Sequence, residues 1–118
     1  STLDEKSLGC IRKGGVRPIR EVLEQAARPT QHGAIVMDTA GYDISSVTSM
    51  VAGGCQVIIF TTGRGTPTGN AIVPVVKTAK EMGEELLQEI AAIANGKLTK
   101  AEAYGFSDIA VDHVCRFV

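Results

Sequence analysis

The sequence predicts an α/β fold: a three-layer, Rossmann-like domain with a mostly parallel sheet and flanking helices. Three observations carry that expectation. The short apolar stretches Ala34-Ile35-Val36-Met37 and Gln56-Val57-Ile58-Ile59-Phe60 read as strands buried on both faces, as in a parallel sheet. A helix-length stretch separates them, giving the strand–helix–strand order of a right-handed crossover. Capping signatures of the S/T-x-x-E form open helices at Thr2-Leu3-Asp4-Glu5, Thr78-Ala79-Lys80-Glu81 and Thr99-Lys100-Ala101-Glu102.

The first of these predicts a helix over 3–13, with acids in its first turn and Lys13-Gly14-Gly15 as its stop. Pro18 opens a second amphipathic piece, because Ile19, Val22 and Leu23 recur at i, i+3, i+4; it ends before Arg28-Pro29. After the 34–37 strand comes a polar loop, Asp38 to Asp43. Asp43 or Ser45 caps a helix through Val47, Met50 and Val51 that Gly53-Gly54 stops. Ile72-Val73-Pro74-Val75-Val76-Lys77 is apolar but carries a proline, so it reads as an edge strand or extended segment. The 78–81 cap leads into the clearest helix, with Met82, Leu86, Ile90 and Ile93 on its apolar stripe and Asn95-Gly96 at its end. A short helix follows Thr99 and ends at Gly105. Alternation in Ile109, Val111, His113, Cys115 and Phe117 predicts a last strand over 108–118.

A chain of 118 residues, 44% hydrophobic and 21% charged, is one ordinary globular domain. Its 12 basic and 13 acidic residues balance, which argues against nucleic acid and an anionic membrane surface as partners. With no tryptophan, two tyrosines and three phenylalanines, it lacks a stacking platform for single strands. No apolar run approaches the roughly 20 residues that span a bilayer. Cys10, Cys55 and Cys115 are odd in number and far apart, which reads as reduced thiols in a cytoplasmic protein. His113 and Cys115 share a strand face, but two ligands do not make a metal site, so no metal ligands are assigned.

The chemistry concentrates in Phe60-Thr61-Thr62-Gly63-Arg64-Gly65-Thr66-Pro67-Thr68-Gly69-Asn70. It follows an apolar strand and brings glycine amides, threonine hydroxyls and one guanidinium to one place, a set suited to a carboxylate or phosphate. If the two strands run in parallel, the loops after Met37 and Phe60 leave the same sheet edge, where α/β folds bind ligands. Asp38 and Asp43 are then candidate acid/base or metal-binding carboxylates beside the glycine-rich loop, with a strand-end turn and a helix cap as their plain structural roles. His32 precedes its strand and falls at the opposite end.

These residues also resemble a family. Met37-Asp38-Thr39-Ala40-Gly41-Tyr42-Asp43, Val51-Ala52-Gly53-Gly54-Cys55-Gln56, the F-T-T-G-R-G-T-P run from Phe60 to Pro67, and Pro74-Val75-Val76-Lys77 look like the C-terminal domain of the altronate/galactarate dehydratase family. Asp4-Glu5-Lys6-Ser7-Leu8-Gly9 and Lys13-Gly14-Gly15 match how that domain begins. The altronate branch fits better than the galactarate branch, and sulfolactate sulfo-lyase large subunits are related. The resemblance implies that residues 1–118 are one domain of a longer cytoplasmic enzyme, whose N-terminal and middle domains are its partners; homo-oligomerisation is left open. The family pattern inserts a polar segment after P-V-V-K, whereas here Lys77 runs straight into Thr78, so the expectation is that residues are omitted at that point.

The implied activity is a hydro-lyase converting D-altronate to 2-dehydro-3-deoxy-D-gluconate, assisted by a divalent metal, iron(II) or manganese(II), held outside this domain. Arg64, Asp38 and Asp43 are the catalytic candidates, and Thr61, Thr62, Gly63, Gly65, Thr66, Asn70 and Lys77 the substrate-binding ones. The rival expectation is a non-catalytic module that binds a small anion or mediates assembly.

Overall fold

The computed structural model describes residues 2–63, 66–78 and 83–111. In chain order these form α1 (Leu3–Lys13), β1 (Ile19–Leu23), β2 (Ala34–Met37), α2 (Asp43–Ala52), β3 (Ile58–Thr61), β4 (Val75–Thr78), α3 (Gly83–Ala94) and α4 (Lys100–Ala103). Capping chemistry sets several boundaries. Thr2 and Glu5 exchange side-chain-to-backbone hydrogen bonds at the start of α1, and Thr99 and Glu102 do so at α4. In α2 the cap is Tyr42, which uses no side chain, and Asp43 is the first helical residue instead of the expected cap. Its carboxylate stands in the first turn, where the helix dipole favours an anion. At the end of α3, Gly96 turns the chain with φ 98°, a left-handed conformation costly to other residues.

The strands pair in parallel, in two separate ribbons, β1 with β2 and β3 with β4. Two expectations change here. The 19–23 segment is a strand where its spacing predicted a helix; five residues hold too few turns for periodicity to separate the two. And β2 and β3, the two ends of the expected crossover, are not hydrogen-bonded neighbours among the described strands. Each instead takes its partner from outside that unit. The proline reading fares better: Pro74 lies just before β4, where its carbonyl accepts the Ile58 amide at 3.0 Å and its missing N–H costs no ladder bond.

Helix α2 joins the two ribbons. Val47 packs with Ile58, Val73 and Val75 in the main apolar cluster, against which Met50, Val51 and Phe60 also lie. Val47 and Val75 are each only 2% exposed, so this cluster is the dry centre of the fold. Toward the other ribbon, Gln25 donates to the buried Ser49 hydroxyl at 3.1 Å. A Cβ on Gly53 would stand 2.6 Å from the Met37 side chain and 2.9 Å from the Ala27 carbonyl. Only a residue without Cβ lets the end of α2 approach this closely. Neighbouring strand residues point to opposite faces, so Val76 turns away from the Val75 cluster, toward Leu86 and Ile93 of α3. Residues 106–110 follow α4 as an extended strap: the Ala110 amide donates to Thr48 in α2, and the Asp108 carbonyl accepts from Asn70. Residues 108–111 are not in a strand; 112–118, with His113 and Cys115, lie outside the described residues, as do 79–82 of the third cap signature.

One carboxylate fastens the return from β1 to β2. Glu21 accepts from the Thr30 amide and hydroxyl, each at 2.9 Å, and from the Gln31 amide at 3.2 Å. These bonds favour its charged form, with the Thr30 amide acting most strongly, and hold its pKa below the ordinary 4.5. The tie therefore contributes stability above pH 4.5, and that contribution is lost as pH falls through the lowered value. In an NMR titration the Glu21 carboxyl is expected to titrate below the ordinary 4.5, with the Thr30 and Gln31 amides following it; titration at the ordinary value would remove the tie.

Candidate functional site

The glycine- and threonine-rich loop turns out to be the crossover of a parallel pair. It leaves the carboxyl end of β3 and must enter β4 at its amino end, so it crosses the whole ribbon. Its residues are divided accordingly. Thr61 closes β3, and Thr62 and Gly63 follow it at the carboxyl edge. Arg64 and Gly65 lie outside the described residues. The Thr66 hydroxyl bonds to that of Thr68 at 2.8 Å and accepts the Thr68 amide at 3.3 Å, folding the loop on itself. Asn70 is buried near the entrance to β4. Its Oδ1 accepts the Ile72 and Val73 amides at 2.9 and 3.2 Å, and its Nδ2 donates to the Asp108 carbonyl at 3.5 Å. Asn70 thus builds the turn into β4, while Thr61 stands at the far end of the same ribbon.

Asp43 and Thr61 do come together. With Ser46, Val47, Met50 and the β3 backbone they line a cavity of about 210 Å³ between the first turn of α2 and β3. Its position follows from the sequence: an apolar β3 packs on α2, which brings the end of the strand beside the polar start of the helix. Thr39 bonds to Ser46 at 2.9 Å and fixes the 38–43 loop to the same turn. The cavity carries a carboxylate and two hydroxyls over an apolar base, groups that can hold hydroxylated carbon and move a proton. Asp38 stands elsewhere, at the end of β2, where its amide donates to the Leu23 carbonyl at 2.8 Å. Lys77 pairs in register with Phe60 at the carboxyl end of β4, but it lines a different, larger cavity with α3 and α4.

Among the described residues no three of His, Cys, Asp and Glu stand close enough to hold a metal ion. Cys10 and Cys55 are free and exposed. No described helix is long and apolar enough to cross a membrane.

Fold and site together define an α/β domain that gathers hydroxyls and a carboxylate where a helix begins and a parallel strand ends. The sequence model of the D-galactarate/altronate dehydratase C-terminal region matches residues 1–80, which include α1, both strand pairs and the whole glycine-rich loop. The chain belongs to that family. It is 43% identical over 79 residues to the altronate dehydratase of Bacillus subtilis, covering 67% of this chain and 16% of that one. It is 49% identical over 75 residues to the galactarate dehydratase (L-threo-forming) of Escherichia coli, covering 64% and 14%. A third relative, the (2R)-sulfolactate sulfo-lyase subunit beta of Chromohalobacter salexigens, is 31% identical over 139 residues, covering 94% and 36%. The chain thus spans well under two thirds of each relative.

Sequence reasoning gave the loop's glycines a ligand role and missed the one that packing constrains. A Cβ on Gly69 would lie 2.0 Å from the Phe106 carbonyl oxygen and 3.1 Å from Ala101. The loop is pressed against the end of α4, and the only sequence signal for this is a glycine beside an asparagine. Gly63, by contrast, has nothing within 4 Å of such an atom. Gly69→Ala is expected to destabilise the chain by about 1–3 kcal/mol in chemical denaturation, the usual range for overpacking. Gly63→Ala should change little, and equal effects of the two would contradict the packing described.

Proposed function

We propose that this chain is the C-terminal domain of a hydro-lyase that dehydrates a sugar acid, D-altronate to 2-dehydro-3-deoxy-D-gluconate and water. The observation that carries the reading is the cavity shared by Asp43 and Thr61, set inside the stretch that matches the dehydratase family. Dehydration takes the proton from the carbon next to the carboxylate, forms a double bond to C3 and breaks the C3–O bond. The departing hydroxyl leaves with a proton as water, and the enol relaxes to the 2-keto product. Charge grows on the carboxylate as the first proton leaves, so a cation there gives the largest help.

Arg64, three residues beyond the end of β3, is the guanidinium for that task. Thr61, Thr62 and Thr66 orient the hydroxyls, and Gly63 and Gly65 let the backbone approach. Asp43 carries a proton between substrate and water, and Asp38 assists from the neighbouring loop. The divalent ion, iron(II) or manganese(II), is held by other parts of the full-length enzyme, which complete the site. The aligned stretch of the sulfo-lyase subunit is longer than this 118-residue chain, which supports a segment in that relative with no counterpart here. In the complete cytoplasmic enzyme the two ribbons belong to one three-layer, Rossmann-like body. The higher identity to galactarate dehydratase favours a second reading, in which the substrate is a diacid.

The full-length protein carrying this domain should be assayed with D-altronate, galactarate and sulfolactate. Arg64→Lys is expected to lower turnover of the preferred acid by about a hundredfold, because an ammonium does not reproduce a bidentate grip. Turnover close to that of the unaltered enzyme would remove Arg64 from the site, and no dehydration of any of the three acids would overturn the reading.

A further inference from the structure

The larger cavity, about 350 Å³, lies between β4, α3 and α4. We propose that it is a binding site of its own for a small organic acid, with the Lys77 ammonium on the carboxylate and the Thr99 hydroxyl as a second donor. The proposal deepens the sugar-acid reading and rests on it only for the choice of probe.

The cavity falls within the usual range of small-molecule sites, about 300–1,000 Å³. Val76, Leu86 and Ile93 give it an apolar floor, and charged side chains stand around that floor. Lys97 is paired with Glu89. That leaves Lys77 and Lys100 beside Glu85 on the lining, with the Asp108 carboxylate near enough to act on Lys77. Lys77 is half-buried, and the loss of water around its ammonium lowers its pKa from the ordinary 10.5, with Asp108 opposing the shift. A cation held in this way gains from an anion placed against it. Thr99 is only 3% exposed and lines the cavity; its oxygen accepts the Glu102 amide at 3.2 Å, and its O–H remains a donor. An ammonium and a hydroxyl above an apolar floor suit a carboxylate with a short carbon body.

Most of the lining residues lie beyond residue 80, where the family match ends, so the shared motif does not account for them. The cavity also lies apart from the one lined by Asp43 and Thr61, with no residue in common between their linings.

The test is an NMR titration of the 118-residue chain with D-altronate, galactarate and inorganic phosphate. At least one of the two acids is expected to give saturable shifts at Val76, Lys77, Leu86 and Thr99. Lys77→Met should weaken that binding about ten- to a hundredfold, the effect of losing one hydrogen bond to a charged group, while Lys6→Met on α1 leaves it intact. Shifts confined to Asp43, Ser46 and Thr61 would overturn this site while leaving the sugar-acid reading in place. No saturable shifts with either acid, or phosphate displacing the acid at equal concentration, would overturn the organic-acid assignment. Because the map is read on the unaltered chain, it decides the matter even if the Lys77 variant fails to fold.

Discussion

Parallel pairing is the constraint on which the rest of this structure depends. Two strands running the same way cannot be closed by a tight turn, so each pair commits the chain to a long return. From β1 to β2 that return is residues 24–33, held by the Glu21 carboxylate. From β3 to β4 it is residues 62–74, the most chemically loaded stretch of the chain. One end of this loop must lie at the carboxyl edge of the ribbon and the other at the amino edge. The first end carries Thr62 and Gly63, and the second is fastened by Asn70 and by the packing of Gly69 on Phe106.

Helix α2 turns two marginal ribbons into one body. A two-stranded sheet has little stability by itself, and both ribbons gain an apolar or hydrogen-bonded partner from this helix. The same packing places its first turn against the end of β3, which makes the Asp43–Thr61 cavity a consequence of the core. Opposite it, α3 and α4 cover Val76 and leave the lysine-rimmed cavity beside β4. Helix α1, by contrast, is capped at both ends but buries no residue, and Leu3, Leu8 and Ile11 stay exposed. Its stability in this chain comes from local capping and charge placement alone.

What was legible in the sequence was local. The caps at Thr2 and Thr99 and the stop at Asn95-Gly96 depend on residues within one turn, and they stand where they were expected. The apolar runs of β2 and β3 were visible for the same reason, but neither strand is buried on both faces as expected, since Val36 and Ile59 are exposed; the family was carried by the run from Phe60 to Pro67. Pairing was not legible, because β3 finds β4 across a loop that carries no mark of its length or direction. The i, i+3, i+4 spacing of Ile19, Val22 and Leu23 misled because a parallel neighbour outweighs helical periodicity over five residues. Of the candidate site, the meeting of Asp43 with Thr61 follows from the packing of α2 on β3. Asn70 has the residue type of a ligand contact, yet its side chain closes a turn, a difference set by Ile72 and Val73 just after the motif and by Asp108 far from it.

The central claim is that the loop from β3 to β4 is clamped at its amino-edge end as firmly as the strands it joins. Native-state amide hydrogen exchange tests this most directly. The account predicts that the Ile72 and Val73 amides, held by Asn70, exchange as slowly as the Ile58 amide held by Pro74, while the amides of α1 exchange much faster. Fast exchange at Ile72 and Val73 beside a protected Ile58 would contradict it.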